Sequence, residues 1–176
     1  KASFGREGIK PQLRIADKYG IPYTIIMKSS SKQKKLLMNG NETLALGALK
    51  AGMKMYSAYP MTPASSILHF MAAREHEFKI IVKHTEDELA AMNMTIGASL
   101  TGARAMCATS GGGFALMVEA FGFGAIIETP LVVAVVTRPG PATGMPTWAG
   151  QGDLRFVMHA AQDEARPAAA RLPAGR

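Results

Sequence analysis

From Pro130 to Val136 the chain reads Pro-Leu-Val-Val-Ala-Val-Val, with no polar side chain in it. Such a run is too short to cross a membrane as a helix. Its valines favour strand over helix. It does not alternate apolar with polar residues. A strand apolar at every position predicts cover on both faces, the setting of a central strand in a parallel sheet. Strands are also expected at Met55–Ala58, Lys79–Lys83 and Ala103–Ala108. Helices are expected at Asn39–Gly52, Ala64–Phe78, Asp87–Leu100 and Phe114–Ile127. Strand and helix alternate throughout, so the fold class is α/β with a doubly wound parallel sheet.

Local signals support the helices. Asn39 can cap the first, with Glu42 in its opening turn. Pro63 suits the first position of the second. In that helix Ile67, Leu68, Phe70 and Met71 face inward, and Arg74, Glu75 and Glu77 outward.

The 176 residues divide unevenly in charge. Residues 1–35 hold nine cations against Glu7 and Asp17, which accounts for the whole net charge of +7. The neutral remainder argues against a nucleic-acid face on the folded part. Residues 1–38 read as the end of another domain: a short helix through Leu13, Ile15 and Ala16, a strand at Tyr23–Met27, and a basic linker. The main domain spans 39–164. The Ala/Pro/Arg tail at 165–176 is assigned no structure. The chain opens on Lys1 without Met and is expected to be a fragment. Its one cysteine, Cys107, excludes an internal disulfide and an iron–sulfur ligand set, and reads as inert packing. No signal peptide or membrane run is visible, so the cytoplasm is expected and a membrane partner is not.

Parallel strands place all their C-terminal ends on one edge of the sheet, where ligands of such folds bind. Four loops leave that edge: Tyr59–Pro63, Thr85–Glu88, Thr109–Gly113 and Arg138–Gly144. They are also the four stretches of odd composition. Glu88 stands at a helix start and is followed by Ala91, Met92 and Thr95. That spacing turns it inward, although Glu86 and Asp87 read well as capping or solvated acids. Thr109-Ser110-Gly111-Gly112-Gly113 can bring backbone N–H groups to an anion or ring, or simply turn tightly. It fits neither a dinucleotide fingerprint nor a P-loop. Arg138 suits bidentate carboxylate binding or a surface ion pair. Thr62 offers a hydroxyl between two prolines. His84 is the only histidine at this edge. His69, His76 and His159 form no metal set, so no metal is expected on this chain.

In sequence order these loops resemble the 2-oxoacid:ferredoxin oxidoreductases, in particular the alpha subunit of the 2-oxoglutarate type. The residues that carry it are Gly40-Asn41-Glu42 with Leu46-Gly47-Ala48, Tyr59-Pro60-Met61-Thr62-Pro63, and Glu86-Asp87-Glu88-Leu89-Ala90-Ala91. They continue with Ala108-Thr109-Ser110-Gly111-Gly112-Gly113, Arg138-Pro139-Gly140-Pro141-Ala142-Thr143-Gly144, and Gln151-Gly152-Asp153-Leu154. The resemblance covers Asn39 to Glu164. Gly112 departs from a common proline, which loosens that turn.

The resemblance implies the pyrimidine-type domain of a thiamine diphosphate fold, incomplete at its C-terminus, after the tail of a fused gamma domain. It implies that Glu88 hydrogen-bonds the aminopyrimidine ring nitrogen and favours the imino tautomer that activates the cofactor. By the same matching Tyr59, Pro60, Ser110 and Gly111 contact the cofactor, and Thr62, Arg138 and Thr143 the substrate. A 2-oxoacid, 2-oxoglutarate first among candidates, would be decarboxylated to an acyl group taken by coenzyme A. Electrons would pass to ferredoxin. A beta subunit would carry the diphosphate site, Mg2+ and the iron–sulfur clusters, so this chain alone should not turn over. An indolepyruvate or branched-chain type, a non-catalytic assembly module and a Rossmann-type nucleotide binder are the alternatives.

Overall fold

A computed structural model describes residues 37–140 and 144–160. The helix and strand expected before residue 37, the tail after 160, and Thr143 lie outside the described residues. Helix α1 (Gly40–Lys50) opens with Asn39 as its cap. The Asn39 side chain accepts from the Glu42 N–H at 2.9 Å, and the Glu42 carboxylate accepts from the Asn39 N–H at 3.1 Å. This reciprocal box satisfies two donors the helix leaves free, and a cap of this kind is worth about 1 kcal/mol. Past the helix end, Gly52 takes φ 84°, a conformation side chains disfavour.

Next come β1 (Met55–Ala58), α2 (Ser65–Ala72), α3 (Glu75–Phe78), β2 (Ile81–His84), α4 (Glu88–Leu100), β3 (Ala105–Thr109), α5 (Gly111–Ile126), β4 (Val132–Val135) and α6 (Asp153–Met158). The four strands form one parallel sheet in the order β2-β1-β3-β4. Ala58 stands beside His84, and Thr109 beside Val135, so every strand ends on the same edge. The chain moves from β1 outward to β2, then returns to β3 on the other side. Right-handed crossovers therefore set α2 and α4 on opposite faces. The direction of travel reverses between β1 and β3, and in sheets of this kind ligands bind outside the carboxyl ends at that point.

One face is fixed to α4 by polar as well as apolar contacts. Ser57 bonds the Ala91 carbonyl at 2.8 Å and the Thr95 hydroxyl at 2.7 Å. All three residues are fully buried. Ala91, Met92, Ile96, Cys107, Phe114, Met117, Ala120 and Ala160 make the apolar core between α4, β3 and α5. Full burial of a side chain the size of Phe114, Met92 or Met117 contributes about 1.5–3 kcal/mol. Burial pushes the Cys107 thiol up to about 12, against a smaller opposing effect of the Thr95 hydroxyl, so it packs as an inert thiol. Among the described residues no helix is long and apolar enough to cross a membrane.

Four expectations are corrected. The helix Ala64–Phe78 breaks at Ala73 and Arg74, and Lys79 takes the left-handed conformation, φ 51°, so β2 starts at Ile81 rather than Lys79. The Glu75 carboxylate there accepts the Val82 N–H at 3.0 Å, a tertiary bond that the helical pattern could not announce. Helix α5 starts at Gly111, three residues before the expected Phe114. Finally, β4 is the last strand of the described sheet, not a central one: it pairs only with β3, and Val132 is 58% exposed. Its apolar run speaks for cover that the described residues do not supply.

Candidate active site

Glu88 is the first residue of α4, following β2 at the carboxyl edge. Asp87 holds the helix start in place: its Oδ1 accepts the Ala90 N–H at 2.6 Å, while Thr85 donates to the Asp87 carbonyl at 2.8 Å. With the cap supplied by Asp87, Glu88 is free to point elsewhere. It points inward and is 3% exposed. Its Oε1 is buried without a hydrogen-bond partner among the described residues.

The neighbour across this carboxylate is the first turn of α5. A methyl carbon placed on Gly113 would sit 2.7 Å from Glu88 Oε1, 2.9 Å from Glu88 Cγ, and against Thr109 Oγ1. Glycine is thus required at 113 by close approach. Ser110 precedes the helix and does not cap it; its hydroxyl is fully buried and unpartnered. The first turn of α5 accordingly offers N–H groups that its own cap leaves unsatisfied. Thr109 faces Met61, Oγ1 to Sδ at 3.9 Å, which joins this group to the loop after β1. In that loop the Thr62 carbonyl accepts from Arg138 Nη1 at 3.0 Å, bridging the loops after β1 and β4.

A buried acceptor beside an uncapped helix start can hold a small ring bearing both donors and acceptors. Burial raises the Glu88 carboxyl above its ordinary 4.5, its own backbone N–H pulls the other way, and the Asp87 charge adds a further upward push. A raised value means that the folded protein binds this proton more tightly than the unfolded chain. The stabilisation is complete below the unfolded value and is lost as pH climbs through the folded one. Glu88→Gln cannot lose it. In cofactor-free protein, the melting temperature of Glu88→Gln relative to wild type should therefore rise between about pH 4 and pH 8. A flat difference across that range would contradict the burial of this carboxylate.

Residues 46–169 match the family described as "Pyruvate flavodoxin/ferredoxin oxidoreductase, thiamine diP-bdg". The chain belongs to this family. It is 38% identical over 167 residues to the 2-oxoacid:ferredoxin oxidoreductase 1 alpha subunit of Sulfurisphaera tokodaii, covering 87% of this chain and 27% of that protein. It is 48% identical over 117 residues to the 2-oxoglutarate synthase subunit KorA of Archaeoglobus fulgidus, 66% of this chain and 34% of that one. Among solved structures it resembles the 2-oxoglutarate:ferredoxin oxidoreductase of Magnetococcus marinus with 2-oxoglutarate, coenzyme A and succinyl-CoA bound. There the TM-score is 0.68 at 38% identity, over 73% of this chain and 23% of that one. The chain thus spans about a quarter to a third of the length of these relatives. The α/β parallel sheet is that of the family's thiamine diphosphate-binding domain.

Within this oxidoreductase-family domain, Glu88 and Ser110 are buried with an unpartnered oxygen each, and Gly111 begins α5. Thr62 is exposed, and its backbone rather than its hydroxyl meets Arg138. Tyr59, 38% exposed, lies on the β2 side with its ring 6.4 Å from that of the exposed His84, and Pro60 is half-buried beside it. Thr143 is outside the described residues. The family resemblance singles out Ser110 and Gly111 in this turn. The geometry adds Thr109 and Gly113, which flank the Glu88 carboxylate. The triple glycine was the available signal, but spacing does not say which of the three a neighbour presses on. Among the described residues no cluster of three or more His, Cys, Asp and Glu side chains could hold a metal.

Proposed function

We propose that this chain forms the pyrimidine-binding half of a thiamine diphosphate site in the alpha subunit of a 2-oxoacid:ferredoxin oxidoreductase. The reaction is oxidative decarboxylation of a 2-oxoacid, 2-oxoglutarate in the first instance, to acyl-CoA, with electrons passed to ferredoxin. The observation that carries it is the Glu88 carboxylate, buried and unpartnered at the carboxyl edge beside the start of α5. An orphaned buried acid costs free energy unless something pairs with it. A protonated ring nitrogen supplies that pairing, so the residues present fit an aminopyrimidine. When bound, thiamine diphosphate supplies the carbon nucleophile and the electron sink for loss of carbon dioxide.

This chain's own residues bind and orient. Glu88 would hold the ring proton from its buried seat at the start of α4. The Ser110 hydroxyl and the first N–H groups of α5 would be further donors to the cofactor. Arg138, steadied by the Thr62 carbonyl, keeps further guanidinium N–H donors for a substrate carboxylate. Mg2+, the diphosphate site and the iron–sulfur clusters are assigned to a beta partner. The names and bound molecules of the relatives support the substrate class.

The test is an assay of the full-length subunit assembled with its beta partner. Reduction of a low-potential acceptor should require 2-oxoglutarate, coenzyme A and thiamine diphosphate together. Reduction that ignores the cofactor would overturn the proposal. Preference for indolepyruvate or a branched-chain acid would overturn its substrate.

A further inference from the structure

The first turn of α5 is pressed from two sides. Glu88 lies against Gly113, and Asp153, which opens α6, lies against Gly111. A methyl carbon on Gly111 would meet the Asp153 carboxylate, with Oδ2 at 2.7 Å. Residues two apart on a helix point about 200° from each other. The two carboxylates therefore sit on opposite flanks of the same turn. Asp153 Oδ2 is buried and unpartnered among the described residues, like Glu88 Oε1. Its seat at a helix N-terminus offsets part of the cost of burying it.

Other contacts hold the segment that brings Asp153 here. Gly140 and Gly150 exchange two backbone hydrogen bonds, at 2.7 and 3.0 Å. Phe156 meets Phe114 edge-to-face, ring centres 5.4 Å apart, and Ala160 enters the core at 5% exposed. The ring of Phe114, one residue beyond Gly113, is gripped by the same short helix.

We infer that Asp153 is a positioning residue for Glu88, acting as the far wall that keeps the first turn of α5 against the Glu88 carboxylate. The inference rests on the function proposed above. With Asp153 gone, the turn has room to move away, and the Glu88 carboxylate loses its fixed place beside the pyrimidine. Thr62 and Arg138 keep a hydrogen bond of their own, and the Gly140–Gly150 backbone pair that ties the Arg138 loop to this segment does not use the Asp153 side chain.

The assembled full-length enzyme tests it. Asp153→Ala should raise the thiamine diphosphate concentration for half-maximal activity about tenfold and lower kcat, with KM for the 2-oxoacid unchanged. Gly111→Ala, which pushes the carboxylate out from the other side, should reproduce that split, and it carries the test should Asp153→Ala fail to assemble. Asp153→Asn keeps the shape and should stay close to wild type. Wild-type cofactor dependence in both alanine variants overturns the inference. So does a parallel rise in KM for the 2-oxoacid, or an Asn variant as impaired as Ala. Glu88→Gln measured alongside separates the two readings. If it too keeps full turnover, the function itself is wrong; if only the Asp153 set is silent, the positioning role alone falls.

Discussion

Glu88→Gln should lower turnover of the assembled enzyme by about 10²–10⁴-fold, the range lost with an acid–base group in direct contact with the chemistry. The substitution is close to isosteric. It leaves the Asp87 cap and the Ala91, Met92 and Thr95 packing of α4 untouched. On the proposed function, what it removes is the ability to hold and exchange a proton at a ring nitrogen. Stability should move the other way. A neutral amide is cheaper to bury than an ionised carboxylate, so the cofactor-free variant should be at least as stable as wild type near neutral pH. Opposite signs in activity and stability separate a working acid from a structural one. A structural acid would lose both together. Turnover within about threefold of wild type would remove Glu88 from the chemistry.

Much of this architecture was legible because local rules and tertiary packing agree. Asn39 reads as a cap with Glu42 in the opening turn, and the structure closes the two into a reciprocal box. Asp87 reads as a capping residue and caps α4, which is what leaves the next acid free to turn inward. The alternation of apolar strands with helices gave the parallel sheet, and with it the edge where four unusual loops meet.

The failures come from interactions between distant segments. Periodicity carries Ala64–Phe78 as one helix, but the Val82 N–H draws on Glu75 and a left-handed Lys79 turns the chain. Glycine's low helix propensity argues for starting α5 at Phe114, whereas the helix begins at Gly111, and carboxylates occupy the space that side chains at 111 and 113 would need. Asp153 carries no local mark of its seat on Gly111, forty-two positions earlier in the chain. The apolar run of β4 calls for cover on both faces, yet β4 is an edge strand with Val132 58% exposed, and a run of valines does not say which strand or surface would cover it.

Gly113→Ala sets two effects of opposite sign against each other, and its outcome depends on which neighbour gives way. Alanine is preferred over glycine inside a helix by about 1 kcal/mol. The new methyl group, however, would lie 2.7 Å from Glu88 Oε1 and 2.9 Å from its Cγ, with Thr109 Oγ1 closer still. Overpacking of this kind costs about 1–3 kcal/mol. Thr109 is β-branched, fully buried and fixed by its place at the end of β3, so it yields least. The Glu88 side chain, with more rotatable bonds and an unpartnered oxygen, yields more. Glu88 can absorb its own part of the clash, but the tighter contact with the rigid Thr109 is not relieved that way, so a net loss of about 1–2 kcal/mol should remain after the helix-propensity gain. The loss of function should be large, since displacement of a reacting group by about 1 Å can cost about 10²-fold. Gly97→Ala supplies the control: it lies within α4, exposed, with nothing within 4 Å of its added carbon, and should keep wild-type turnover while gaining slightly in melting temperature. If Gly113→Ala behaves like Gly97→Ala in both melting temperature and turnover, the close approach of Glu88 to α5 is not what places the carboxylate for its work.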